Sequence, residues 1–150
     1  MTLVAIRISG LIKIEKKNVE ETMQRLRLKR KYTCVILDER PETMGMIKIV
    51  KNIIAYGKID EKTLTLLLKH RGKKIGNVKA KLSEAESAKI AKEVMAGKKL
   101  EALGIVPFFG LHPARGGIYT KLHFPKGVLG YNRDKATGEE KINELIQRML

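Results

Sequence analysis

Apolar and polar positions along the chain change period several times, and each change marks an element. Leu3 to Ile8 is apolar or β-branched apart from Arg7 and stops at Ser9-Gly10, which predicts a strand. Asn18 is placed to cap a helix with Glu21 three residues on, and Val19, Met23 and Leu26 repeat at helical spacing over about residues 19–28. A basic turn then leads into a second strand over 32–37, closed by Asp38-Glu39-Arg40-Pro41. Pro41 suits the first turn of a helix, and Met44, Ile47, Val50 and Ile54 mark its apolar face. Its end runs into a third strand over 53–57, so residues 1–59 read β-α-β-α-β, with connections long enough for right-handed crossovers.

Beyond Asp60 the pattern shifts to short helices joined by basic loops, and a boundary is placed there. Asp60 is positioned to cap a helix of about 61–70 with Leu64, Leu67 and Leu68 inward and Gly72 as its stop. Ser83-Glu84-Ala85-Glu86 spells a capping box for a helix that runs over Ala88, Ile90, Ala91, Val94 and Met95 to Gly97. Residues 105–131 hold all three Phe and repeated Gly and Pro, a composition of loops and short strands. Residues 139–149 return to helix, with Ile142, Leu145, Ile146 and Met149 on one face. The predicted fold class is mixed α/β (α+β): a small β-α-β-α-β, ferredoxin-like core over 1–59, and a mostly helical, loop-rich extension over 60–150 packed on it.

At 150 residues and 43% hydrophobic content the chain can bury one good core. Cys34, the only cysteine, lies in an apolar run and reads as a buried thiol, which fits a reducing, cytoplasmic setting. No apolar run approaches the ~20 residues of a membrane span, and the first residues lack the pattern of a signal peptide. No membrane or small-molecule partner is expected.

Charge changes the picture most. The formal net charge is +15, and thirteen residues from Lys69 to Lys81 contain Lys69, His70, Arg71, Lys73, Lys74, Lys79 and Lys81 without one acid. Cations of one sign interleaved with glycine suit a segment that follows a phosphate backbone and releases its condensed counterions. In Pro113-Ala114-Arg115-Gly116-Gly117 the paired glycines permit close approach, and Arg115 supplies a bidentate donor for phosphate or a base edge. Further candidates are Lys16, Lys17, Arg27, Lys29, Arg30 and Lys31 around the first helix, with Lys48 and Lys51 on the second. The run from Arg115 to Phe124 does not match the aromatic strand of an RNA-recognition motif.

Catalytic readings fare worse. The chain has no phosphate-binding Gly-Lys-Ser/Thr loop, no His-Glu-x-x-His helix and no cysteine pair for zinc. Asp38, Glu39, Glu84 and Glu86 stand at helix starts, where acids offset the helix dipole, rather than in a convergent set. No catalytic residue, metal ligand or cofactor is expected.

Residues 2–59 resemble the large-subunit ribosomal protein family "L thirty". The resemblance is carried by Leu3-Val-Ala-Ile-Arg-Ile-Ser9, by the basic helix exit Leu26-Arg-Leu-Lys-Arg-Lys31, and above all by Pro41-Glu-Thr-Met-Gly-Met-Ile-Lys-Ile-Val-Lys51. Bacterial members usually place Arg immediately before the Gly-Met, where Met44 stands here. Leu111-His-Pro-Ala-Arg-Gly-Gly117, Asn132-Arg-Asp134 and the closing Asn143-Glu-Leu-Ile-Gln-Arg-Met149 are similar to archaeal members and to the eukaryotic homologues "L seven". The resemblance implies a structural constituent of the large ribosomal subunit that binds large-subunit ribosomal RNA, stabilises its tertiary fold and neighbours other large-subunit proteins. Read from charge alone, a sequence-tolerant RNA-binding or RNA-chaperone protein outside the ribosome stays open, and an RNA-processing enzyme is a further class.

Overall fold

The computed structural model describes residues 2–8, 17–51, 53–76, 82–115 and 138–150. Its elements are β1 (Thr2–Arg7), α1 (Lys17–Arg25), β2 (Thr33–Asp38), α2 (Pro41–Val50), β3 (Ile54–Lys58), α3 (Glu61–Arg71), α4 (Glu84–Met95), a 3-10 turn (Leu100–Leu103), β4 (Phe108–Gly110) and α5 (Gly138–Met149). The strands form one sheet in the order β3-β1-β2-β4. Strand β1 is central and antiparallel to both neighbours, with Val4 opposite Ile36 on one side and Gly57 on the other. Strands β2 and β3 are therefore parallel to each other with β1 between them, so only the α2 connection joins parallel strands. The α1 connection instead returns β2 antiparallel beside β1, which corrects the expectation of two crossovers.

Antiparallel sheets commonly leave one face wet and show alternating burial. Here every residue of β1 is buried. The reason lies in two layers of helix. On one face Leu3, Ala5, Val35 and Ile54 pack with Met23, Leu26 and Leu28 near α1 and Ile47 and Val50 of α2. On the other, Val4, Ile6, Ile8, Cys34, Ala55 and Ile59 pack with Leu64, Leu67 and Leu68 of α3, Ala91 and Val94 of α4, and Ile142, Leu145, Ile146 and Met149 of α5. The extension thus supplies the whole second layer and the edge strand β4, where Phe109 is buried opposite Cys34.

Several boundaries differ from the sequence expectation for identifiable reasons. Asn18 does not cap α1: it lies inside the helix, and its carbonyl accepts from the Thr22 hydroxyl at 2.7 Å. The helix stops at Arg25 rather than near 28, because Leu26 and Leu28 must both reach the core. Arg27 takes a left-handed conformation (φ 60°), Leu28 N–H donates to Met23 O at 2.9 Å, and Arg27 N–H donates to Gln24 O at 2.9 Å. That is a Schellman closure with Arg where glycine is usual. Asp60 precedes α3 as expected, yet its side chain does not cap the helix. Its Oδ2 accepts from Asn143 Nδ2 at 2.9 Å instead, while its N–H donates to Asn143 Oδ1 at 3.3 Å, tying α5 to the start of α3. Met95 is 41% exposed at the end of α4. The capping box forms as read, with Ser83 Oγ accepting from Glu86 N–H and Glu86 Oε2 accepting from Ser83 N–H.

Gly72 ends α3 in an extended conformation, so its value is steric rather than conformational. A Cβ there would stand 2.3 Å from Leu68 O and 2.4 Å from Leu82 Cδ1. The chain can thus leave the helix tightly under Leu82 only without a side chain.

Candidate nucleic-acid interface

The turn from α1 to β2 displays Arg27, Lys29, Arg30 and Lys31, all exposed. Two left-handed residues, Arg27 and Tyr32 (φ 63°), bracket it. From beneath, the buried Arg7 guanidinium donates from Nη1 to Leu28 O at 2.9 Å and to Lys29 O at 2.6 Å. Arg7 is the one charged residue of β1, and the pattern of the strand alone gave it no role; its length lets it hold the carbonyls of the turn from within. With the backbone fixed at both ends and from below, the cationic side chains point outward without a large ordering cost, which is what a phosphate-facing surface requires. Lys31 Nζ lies 5.0 Å from the Tyr32 ring centroid, and the Arg27 guanidinium pairs with Glu101.

A second basic surface is built at the end of α3. Lys69, His70 and Arg71 occupy its last turn, where cations oppose the negative end of the helix dipole. The strap that follows is pinned to residues 104–106: Val106 N–H donates to Lys73 O at 2.9 Å, Ile75 N–H donates to Gly104 O at 2.8 Å, and Lys74 bridges Ile105. Not all of these cations face outward unpaired. Lys69 pairs with Glu84 at 2.9 Å and Lys74 with Glu86 at 3.4 Å, while Arg71 Nη2 donates to Leu150 O at 2.8 Å. The acids absent from the basic run itself come from the first turn of α4. The hydrogen bond and charge of Lys69 hold the Glu84 carboxyl below its ordinary range, and the Ser83 N–H, aided by Lys74, does the same for Glu86. His70 and Lys73 are exposed.

Arg115 is exposed on a strap laid across the end of α5. His112 N–H donates to Met149 O at 2.9 Å, Arg115 N–H donates to Arg148 O at 3.3 Å, and Arg148 Nη1 returns a bond to Arg115 O at 3.3 Å. Lys48 and Lys51 are exposed at the end of α2, and Lys17 begins α1. Lys16, Lys79, Lys81, Gly116 and Gly117 lie outside the described residues. Four cations that the sequence reading did not put forward, Arg25, Arg40, Lys98 and Lys99, gather around one cavity. Only the Lys98-Lys99 pair left a trace in the sequence, since fold rather than sequence proximity brings the four together.

Among the described residues no set of three His, Cys, Asp or Glu is placed to hold a metal ion. Cys34 is fully buried, and burial pushes its thiol far above the ordinary range, which removes the thiolate a nucleophile needs. Among the described residues no helix is long and apolar enough to cross a membrane.

Comparison with known proteins bears on the family. The family described as "Ribosomal protein L30p/L7e" matches over residues 3–54, the first two strands and two helices up to the start of β3. The chain is 40% identical to the large ribosomal subunit protein uL30 of Archaeoglobus fulgidus over 96% of this chain and 97% of the relative. Its identity to the protein of the same name from Nanoarchaeum equitans is 38% over the full length of both, and to that from Aeropyrum pernix 34% over 97% and 96%. Similarity therefore extends well past the matched core into the extension that supplies the second helical layer, and on that full-length likeness the chain belongs to the ribosomal protein L30p/L7e family.

Proposed function

We propose that this chain is a structural, non-catalytic constituent of the large ribosomal subunit in the cytoplasm, where it binds large-subunit ribosomal RNA and helps hold its tertiary fold. The observation that carries the reading is the display of cations on fixed backbone: Arg27, Lys29, Arg30 and Lys31 on a turn locked by Arg7, with Lys69, His70 and Arg71 in the last turn of α3 and Lys73 and Lys74 on the strap pinned to 104–106. Each neutralised phosphate releases condensed counterions, and a rigid scaffold carrying cations on separate elements offsets repulsion between RNA segments brought close together. Lys16, Lys17, Lys48, Lys51, Lys79, Lys81, Arg115, Gly116 and Gly117 belong to the same proposed interface, and neighbouring large-subunit proteins are its other expected partners. Full-length likeness to relatives named as large-subunit proteins supports the ribosomal setting.

Sucrose-gradient sedimentation of a lysate, followed by a high-salt wash, tests it. The protein is expected at about one copy per large subunit and retained through the wash, because contacts integrated in a folded particle outlast those to exposed phosphates. Recovery near the top of the gradient, or spread over all nucleic acid, overturns the ribosomal reading in favour of a free RNA binder.

A further inference from the structure

We infer that the cavity beside the open end of β2 is a pocket for one splayed-out RNA nucleotide, its base on an apolar floor and its phosphate at a cationic rim. The inference deepens the RNA-binding reading and rests on it. Strand β4 pairs with β2 only from Thr33 to Val35, and Pro107, which has no N–H to offer, precedes β4. Ile36, Leu37 and Asp38 pair with β1 on one side and, among the described residues, have no strand on the other. The gap is a cavity of about 280 Å³. Its walls come from the end of α1, the start of α2, and the segment joining α4 to the 3-10 turn.

The chemistry divides cleanly. Ile36, Leu37 and Pro107 are half-buried and supply apolar surface, with the buried Leu26, Val35 and Leu100 packed behind them. The rim carries Arg25, Arg27, Arg40, Lys98 and Lys99, against Asp38, Glu42 and Glu101. Arg27 pairs with Glu101, Arg40 with Asp38 at 3.4 Å, and Lys98 with Glu93 at 3.0 Å. No acid lies within ion-pair distance of Arg25 or Lys99 among the described residues, so these two are available to an anion. The first turn of α2 adds a positive helix end whose cap residue, Arg40, makes no side-chain cap bond.

Size and shape select the occupant. The volume falls just under the range of small-molecule pockets, from about 300 Å³ upward, and suits a single base with its ribose rather than a helix. An added peptide strand fits poorly, because the open edge is three residues long and its last carbonyl, Asp38 O, already accepts from Arg40 N–H at 2.9 Å. Unstacked bases that leave an RNA loop are commonly received by apolar surface and by arginine planes, with the backbone held by cations.

The probes are adenosine 5′-monophosphate, ribose 5-phosphate and inorganic phosphate, titrated into isotopically labelled full-length protein and followed by amide NMR. Adenosine monophosphate is expected to shift Val35 to Asp38 and Leu100 to Glu101, binding roughly tenfold tighter than ribose 5-phosphate, as stacking of one base predicts. Arg25→Ala combined with Lys99→Ala should abolish those shifts in a protein whose spectrum is otherwise unchanged. Equal response to phosphate alone overturns the pocket in favour of a simple anion site, and shifts confined to residues 69–74 overturn it altogether. Filter binding of large-subunit RNA to the same preparation separates the two levels. If the RNA does not bind, the parent reading fails; if it binds while the nucleotide leaves residues 35–38 unmoved, the pocket alone fails.

Discussion

Cutting the chain after Ile59 removes α3, α4, α5 and β4 and bares one whole face of the sheet. Val4, Ile6, Ile8, Cys34, Ala55 and Ile59 are each at most 6% exposed in the intact chain. Burying a Val or Ile side chain is worth about 1.5–3 kcal/mol, so the four branched residues among them lose on the order of 10 kcal/mol before the helices' own contribution is considered. The loss matches the entire stability of an ordinary domain, about 5–15 kcal/mol. Residues 1–59 are therefore proposed to form a recognisable structural core but not an independent folding unit. The fragment is expected to give no cooperative urea transition by far-UV circular dichroism, and to self-associate in size-exclusion chromatography through its apolar face. The full chain should unfold as one unit, and Ile6→Ala within it should cost about 2–5 kcal/mol. A monomeric 1–59 fragment with a sharp urea transition would refute the reasoning, since the second layer would then be dispensable.

Three further outcomes follow from particular contacts. Asn143→Ala removes both bonds to Asp60 and should lower stability to urea by about 2 kcal/mol, with the α3 amides losing hydrogen-exchange protection first; an unchanged midpoint would mean the clasp contributes nothing. Gly72→Ala should cost about 1–3 kcal/mol although its φ of −61° suits alanine, because the methyl group meets the Leu68 carbonyl; a neutral result would show that the α3 exit can shift. The Glu86 carboxyl is held below its ordinary value of 4.5 by the Ser83 N–H and Lys74, so its contribution is present above that value and lost as pH falls through the lowered one. Glu86→Gln should therefore flatten the acid limb of stability measured below about pH 4.5, and an unaltered limb would place the acid sensitivity elsewhere.

Legibility of the sequence followed the range of the interaction. Pro41 at the start of α2, the Ser83 and Glu86 box, and the Ile142 to Met149 stripe are local codes, and each appears in the structure where the sequence put it. Asn18 and Asp60 carry equally good capping chemistry, yet Asn18 lies inside α1, which starts at Lys17, and Asp60 is engaged by Asn143, eighty-three residues away. Capping propensity states what a side chain can do, whereas a distant partner decides what it does. The strand order was not legible for the same reason: a β-α-β run fits parallel or antiparallel return, and the choice is made by pairing between strands far apart in the sequence. The dense cationic runs were legible as charge. Their neutralisation by α4 was not, because Glu84 lies fifteen residues from Lys69 in the sequence.

Those acids close the argument about the basic surface. Glu84 and Glu86 sit at the first turn of α4, where the helix dipole and the capping box favour them, and the fold lays that turn against Lys69 and Lys74. Both pairs are substantially exposed, so solvent screens them and neither is held strongly. On the proposed RNA-binding reading, a phosphate can then replace a carboxylate at little net cost, and in the absence of RNA the pairs damp a surface that would otherwise attract any polyanion. Glu84→Gln isolates this effect, since Glu84 takes no part in the capping box and the glutamine keeps its size. The variant should bind RNA roughly two- to five-fold tighter at low salt, and the gain should shrink as added salt screens the surface. Nonspecific RNA should profit at least as much as the large-subunit RNA, because a freed Lys69 reads only phosphate. Unchanged affinity at every salt concentration would mean that RNA does not reach the end of α3, and the proposed interface would then contract to the α1 to β2 turn held by Arg7.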